Sequence, residues 1–306
     1  MRSSPSFGTI QRWIAEPPPE HVFELSESSL AIGSPRDPGL RRIEDLGEKC
    51  LAPSPSAPNL LRAQTFRDAL QRYLEKQPGR RDATALIIPD YAVRMAVLDF
   101  EEFPAREQER LALLRFRLRK SVPFHMDEAN VSYSVQHQEP KRIEVLAVAI
   151  ARPILHEYEL LLTDAGLRVG LVIPSCVAAL PLYPRTANGL TLVAKLAGTT
   201  LSVLLLDEAR MRLARCLDLA AGEADGSAHS QESVFDLIQQ TVAFAEDQLG
   251  ARIAQLALCG FGEQTEATGQ TAEAEFSVPY SGVRSRFGPA TQQNAGLLGM
   301  LEQYAA

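Results

Sequence analysis

The 306-residue chain has no apolar run approaching the roughly 20 residues that a bilayer-spanning helix requires. Its N-terminus, MRSSPSFGTIQRWIAEPPPE, lacks the continuous apolar stretch of a signal peptide. A soluble, cytoplasmic protein is the expectation. The four cysteines (Cys50, Cys176, Cys216, Cys259) are scattered and none has C-x-x-C spacing, which argues against zinc and a disulfide framework and fits a reducing compartment. Five histidines (His21, His125, His137, His156, His229) show no metal-ligand spacing. H-E-x-x-H, G-x-S-x-G and G-x-x-x-x-G-K-[ST] are all missing, so the enzyme chemistries they carry have no footing. Cys259, at the end of an apolar strand, reads as a small hydrophobe and not as a nucleophile. Positive charge is not in excess: 31 Lys and Arg against 38 Asp and Glu leave a net charge of -7. That excludes an overall electrostatic footprint for nucleic acid, and any anion affinity must be local.

What is present is ordinary globular material, 45% hydrophobic and 23% charged, and long enough for two lobes. Residues 1–20 read as an N-terminal arm stopped by Pro17-Pro18-Pro19. "HVFELSESSLAIGSPRDPGLRRIEDLGE" then gives strand, turn, strand, turn, strand, and "APSPSAPN" is a loop ahead of a helix over 60–76. Strand, strand, helix, strand, strand follows between about 84 and 151 and reads as a compact insert. A helix over 153–165 ends at Gly166. The second half repeats the outline: "GLTLVAKLAGTTLSVLLLDEARMRLARCLDL" is another three-strand meander. Val234, Ile238, Val242, Ala245 and Leu249 recur at helical spacing behind Ser230 as a cap. "RIAQLALCGFGE" is a strand running into a Gly-x-Gly turn, and an acidic, Thr-rich loop follows. "NAGLLGMLEQYAA" closes the chain as a small-residue helix that should pack closely. Two meanders, each followed by a helix, indicate a duplicated α/β unit with a cleft between lobes over 21–185 and 186–306.

The stretch "RLALLRFRLRKSVPF" (110–124) places five basic residues among leucines with no acid, in an acidic protein. A helical wheel sets Leu111, Leu114 and Leu118 on one face and Arg106, Arg110, Arg117 and Lys120 opposite, with Arg115 beside the leucines. The leucines point to a core, and the basic side to solvent or to anionic headgroups.

The segment "LIIPDYAVRMAVLDFEEFPAREQERLALLRFRLRKSVPFHMDEANVSYSV" resembles the type IV pilus assembly protein PilM family, actin-like proteins close to the cell-division protein FtsA. The resemblance rests on Ile88-Pro89-Asp90 with Val93-Arg94, Phe103-Pro104, the helix closing in Lys120-Ser121-Val122-Pro123-Phe124, and Asp127-Glu128 before the strand at Val131. It implies a bilobed actin-like fold, a duplicated ribonuclease H-like unit carrying a small α+β insert. It also implies nucleotide in the cleft, an N-terminal cytoplasmic peptide of a PilN-like inner-membrane protein as partner, and peripheral association with the inner membrane. Self-association is compatible with it, and nucleic acid is not expected. Arg115, Arg117, Lys120, Pro123 and Phe124 become the candidate partner-facing or membrane-facing residues.

The resemblance places the degenerate nucleotide cleft at Glu24, Ser26, Ser28, Lys195, Ala197, Gly198, Thr199, Gly260 and Gly262. Asp-x-Gly is the pattern of the superfamily's two turns, where glycine admits phosphate and the carboxylate holds magnesium through water. Here the first turn reads Glu24-Leu25-Ser26-Glu27-Ser28-Ser29 without glycine, and in the second Lys195 and Ala197 stand in the Asp and Gly places. A scaffold without ATPase activity and without a required cofactor is expected, with an ATP-binding PilM or a type II secretion L-like domain as alternatives. A lysine there must find a partner if it is buried. Pairing with Glu24 across the cleft, solvation at the turn and direct contact with phosphate are the three readings.

Overall fold

A computed structural model describes residues 18–76, 84–219 and 231–304. The arm through residue 17, and Ser230 as a cap, lie outside the described residues. The first meander consists of β1 (His21–Leu25), β2 (Ser29–Ser34) and β3 (Asp37–Asp45). After α1 (Ala63–Leu74) the chain returns in β4 (Thr84–Ile88), parallel to β1. β5 (Arg94–Phe100), α2 (Glu107–Leu118), β6 (Ala129–Glu139) and β7 (Arg142–Ala151) form the insert, a three-stranded antiparallel sheet in the order β5-β7-β6. α3 (Arg152–Thr163) leads to β8 (Val169–Pro174), and α4 (Ser175–Ala178) starts the crossing to the second lobe. There β9 (Leu190–Ala197), β10 (Thr200–Asp207) and β11 (Arg210–Asp218) repeat the meander. α5 (Gln231–Leu249), β12 (Ile253–Cys259), α6 (Thr265–Phe276) and β13 (Tyr280–Gly282) follow. A small hairpin, β14 (Arg284–Ser285) with β15 (Gly288–Pro289), precedes α7 (Ala295–Tyr304).

The two lobes have one strand plan. The sheets run β3-β2-β1-β4-β8 and β11-β10-β9-β12-β13, each with two antiparallel and two parallel pairings in the same places. The duplication read from the two meanders is therefore a matching topology. Two expectations are corrected. Thr84–Ile88 is not part of the insert but sits in the middle of the first sheet, because its fully buried residues pair on both sides with β1 and β8. The stretch expected as an acidic loop is α6.

Period-two alternation sorts each strand between two cores. In β1, Val22 joins the apolar cluster between the lobes, while Phe23 and Leu25 face α1 and α3. In β9, Val193 faces the interlobe cluster, while Leu192, Ala194 and Leu196 face α5 and α6. This parity puts Glu24 and Lys195 on the inner faces, among apolar neighbours. The final helix seals the region: a Cβ at Gly299 would lie 2.1 Å from the Ala178 carbonyl oxygen, and one at Gly296 would lie 2.7 Å from Ile87 Cγ2. Its small residues are what let the backbone approach, as the sequence suggested.

The insert has its own core, with Leu114 and Leu118 of α2 buried against Val145, Ala147 and Ala149 of β7. No helix among the described residues is long and apolar enough to cross a membrane.

Candidate functional site: the interlobe cleft

Glu24, next to last in β1, lies on the inner face and is buried. Its carboxylate accepts hydrogen bonds from Ser175 Oγ (2.5 Å) and from the backbone amides of Gly296 (3.1 Å) and Leu297 (2.7 Å) at the start of α7. Burial pushes its pKa up, against the opposing pull of the Lys195 charge and of these hydrogen bonds. The acid caps a helix and is not the direct partner of the lysine.

Lys195 is 1% exposed, which overturns the solvated reading. Its Nζ donates to Asp90 Oδ2 at 3.0 Å, so the expected pairing with Glu24 is corrected in favour of Asp90. Burial pulls the ammonium's pKa down, but Asp90 and then Glu24 more than offset it, and the net shift is upward. Asp90 opens a short turn right after β4. Its other contacts are Ser202 Oγ, donating at 2.8 Å, and the Cys176 amide, donating to Oδ1 at 2.7 Å. The pair thus bridges the lobes, fully hydrogen-bonded on the carboxylate side.

Above it the two meander turns meet. Glu27, between Ser26 and Ser28, sends its Oε1 to the second turn, where it accepts from Thr199 N (3.1 Å) and Thr199 Oγ1 (3.2 Å). Its Oε2 lies 2.9 Å from Lys49 Nζ. Gln292 Oε1 takes the adjacent Gly198 amide at 3.1 Å. Gly198 has φ +58°, and a Cβ there would lie 2.5 Å from Glu27 Oε1. Glycine at 198 therefore makes room for a carboxylate of the same chain, and the amide pair is occupied by internal oxygens.

The other named positions fall around this centre. Ser26 Oγ lies 2.6 Å from Ser29 Oγ within its own turn, and the Ser28 carbonyl accepts from the Leu46 amide. Ala197 is half-buried at the end of β9. Gly260 has φ +82°, and a Cβ would lie 2.2 Å from the Leu196 carbonyl oxygen, so it is held close to β9. With Gly262 and Phe261 it borders a cavity of about 710 Å³ that Thr265, Arg284 and Gln292 also line. Cys259 is buried, and burial pushes its thiol up to about 12, so it stays protonated at neutral pH. Among the described residues no group of three or more His, Cys, Asp or Glu is placed to hold a metal ion. Sequence reasoning missed Asp90 and Glu27 as functional positions, although both stood inside quoted stretches.

The basic helix divides differently from the wheel. Leu114 and Leu118 are buried as expected, but Leu111 is only half-buried. Arg110 is half-buried and Arg117 exposed, and their guanidinium groups lie over the Phe103 and Phe100 rings at 5.2 and 5.1 Å. Phe124 is half-buried between the insert core and the core beneath α1 and α3, so it is a junction residue and not a surface aromatic. Pro123, Arg119, Lys120 and Phe116 are exposed and Arg115 is half-buried.

A second depression lies between the insert and the first lobe. It has a volume of about 310 Å³, with Val148, Ile150, Leu171 and Ile173 on its apolar walls and Asn130 and Ser132 on its rim. Two of its contributors, β6 and β8, are edge strands of their sheets. None of Arg115, Arg117, Lys120, Pro123 and Phe124 lines it.

No protein-family model matches the chain, and no curated protein matches it. Solved structures do. The class they define together with the duplicated sheets is the actin-like fold. Within that class the chain superposes on a PilM–PilN type IV pilus biogenesis complex with a TM-score of 0.72 at 16% identity, over 94% of this chain and 98% of that one. A Bacteroides thetaiotaomicron protein with an actin-like ATPase fold gives 0.51 at 12% identity, over 85% and 89%. The cytoplasmic domain of EpsL, from the type II secretion system of Vibrio cholerae, gives 0.46 at 12% identity, over 78% and 80%.

Proposed function

We propose that this chain is a cytoplasmic scaffold of type IV pilus assembly, holding the N-terminal cytoplasmic peptide of a PilN-like inner-membrane protein without magnesium, ATP or ATP hydrolysis. The observation that carries the reading is the self-filled cleft. A buried lysine stands in the metal-holding place, neutralised by Asp90, and Glu27 occupies the amides of the second turn. A magnesium triphosphate brought to this donor set would have to displace Glu27 and lie beside a buried ammonium. The residues present do not fit it. The likeness to a PilM–PilN complex supports the partner class. The apolar groove between two edge strands suits an extended peptide, which could add main-chain hydrogen bonds at an edge and seat alternate side chains on the walls.

Isothermal titration of the full chain tests both parts. With a PilN-like N-terminal peptide, binding is expected for the wild type and loss for Leu171→Asp, whose half-buried side chain lines the groove. With MgATP, no heat of binding is expected and no phosphate is released. Unimpaired peptide binding by the folded variant overturns the groove assignment, and magnesium-dependent ATP binding overturns the nucleotide-free reading.

The cavity at Gly260 and Gly262 favours one other reading, an ATP-binding PilM whose cleft opens before nucleotide enters. In that case Glu27→Ala gains MgATP affinity over the wild type.

A further inference from the structure

We propose that the outward face of α2, centred on Phe116, docks on an anionic lipid surface. Phe116 is 73% exposed, while the other exposed large hydrophobic residues among those described range from 37% to 56%. Ala112, Phe116, Arg119 and Lys120 follow one another at helical spacing along the solvent side, and all four are exposed. Leu114 and Leu118, on the opposite side, hold the helix to the insert core. Phe116 is therefore not needed for packing, and nothing else in the described chain covers it.

Beyond the first turn the helix carries charge of one sign. From Arg110 to Met126 there is no acidic residue. Arg110 and Arg117 are committed to aromatic rings. The side chains of Arg115, Arg119 and Lys120 make no hydrogen bond or ion pair among the described residues. The acids of this helix lie in its first turn, where Glu107 accepts from the Tyr133 hydroxyl and Glu109 faces Arg106. Asp127 and Glu128 come only after the chain has turned at Pro123. An aromatic wedge surrounded by long cationic side chains suits headgroups and acyl boundary, where the ring inserts and the cations remain at phosphate level. A protein partner would instead need a matched apolar pocket for one isolated ring.

The rest of the molecule, at net charge -7, is repelled by an anionic surface, so the patch fixes orientation as well as attraction. Three cations and one ring give weak, salt-sensitive binding alone. The contact becomes effective when a second attachment, such as a membrane protein's peptide, raises the local concentration. The vesicle contact itself does not depend on the pilus reading, so the two fail separately.

Sedimentation of the full chain with vesicles tests it, comparing equimolar phosphatidylglycerol and phosphatidylcholine with phosphatidylcholine alone at about 0.1 M salt. The wild type is expected to co-sediment with the anionic vesicles and not with the zwitterionic ones. Neutralising Arg119 and Lys120 together, as Arg119→Gln with Lys120→Gln, lowers partitioning about 25-fold, at about five-fold per charge. Phe116→Ser also lowers partitioning to the anionic vesicles, while the thermal midpoint of both variants stays at the wild-type value. Absence of binding to anionic vesicles, equal binding to both vesicle types, or variants that bind as the wild type does would each overturn the proposal. So would a lipid-free protein partner that Phe116→Ser releases while vesicles never bind.

Discussion

Lys195 decides what the cleft can do, because a buried ammonium needs a counter-charge before it needs anything else. Asp90 supplies it, and both side chains are 1% exposed. Lys195→Met leaves an unpaired carboxylate in that place and is expected to cost about 3–5 kcal/mol, read as a lower urea midpoint. Adding Asp90→Asn should restore a large part of the loss. If the double variant is no more stable than Lys195→Met, the pair is not the interaction that matters. Glu24 has the opposite character: burial raises its pKa above 4.5, so the folded state holds its proton more tightly than the unfolded chain. Its contribution is fully present below the unfolded value and is lost as the pH rises through the folded one. The stability of the wild type minus that of Glu24→Gln should therefore grow as the pH falls from 7 toward 5, in paired denaturant titrations. The lysine's need for a partner was legible in LTLVAKLA, a cation on the inner parity of an apolar strand. Asp90 entered only as part of the family motif and not as the lysine's partner, because nothing local in IIPDYA marks an acid that faces a strand 105 residues further on, and Glu27 was passed over for the serines on either side.

At the scale of elements, close approach explains both what the sequence revealed and what it hid. The last helix was legible because Ala and Gly at regular intervals announce a tight contact, and Gly299 provides it against the Ala178 backbone. Since the clashing atom belongs to the main chain, neither side can yield by changing rotamer. Gly299→Ala is expected to lower stability by about 1–3 kcal/mol, the range for overpacked sites, despite the gain in helix propensity. An unchanged or higher melting temperature would show that α7 shifts at no cost. The same physics concealed α6. Its buried residues are Thr268, Gly269 and Ala272, so no stripe of large apolar residues marks it, and a Cβ at Gly269 would lie 2.1 Å from the Tyr280 ring. A helix that packs through small residues reads as a loop to any rule based on hydrophobic periodicity. The insert boundary slipped for a related reason: TALII and RMAVLDF are both short apolar runs, and only their hydrogen-bonded neighbours assign them to different sheets.

At the scale of the molecule, two lobes of one topology are held by polar ties placed at different heights around a shared apolar core. Asp90 meets Lys195 at the floor and Glu27 meets Thr199 at the turns. Away from the turns, the Gln136 side chain of the insert donates to the Met211 carbonyl (2.9 Å) and accepts from its amide (2.8 Å). Arg212 next to it reaches the buried carboxylate of Glu144 at 3.4 Å. The insert is thereby tied to the second lobe as well as to the first, so opening the cleft requires breaking contacts on both of its sides. A ligand can shift such an equilibrium only by its difference in affinity between the open and closed forms. With the amides of Gly198 and Thr199 already satisfied, the closed form needs no ligand to be complete. Amide hydrogen exchange separates the ties. Gln136→Ala should raise exchange at Met211 and leave Gly198 and Thr199 protected, whereas Glu27→Ala should release Thr199 and leave Met211 protected. Exchange at all three amides in either variant would mean that the lobes open as one body. Rapid exchange at all three in the wild type would mean that these ties do not hold them together.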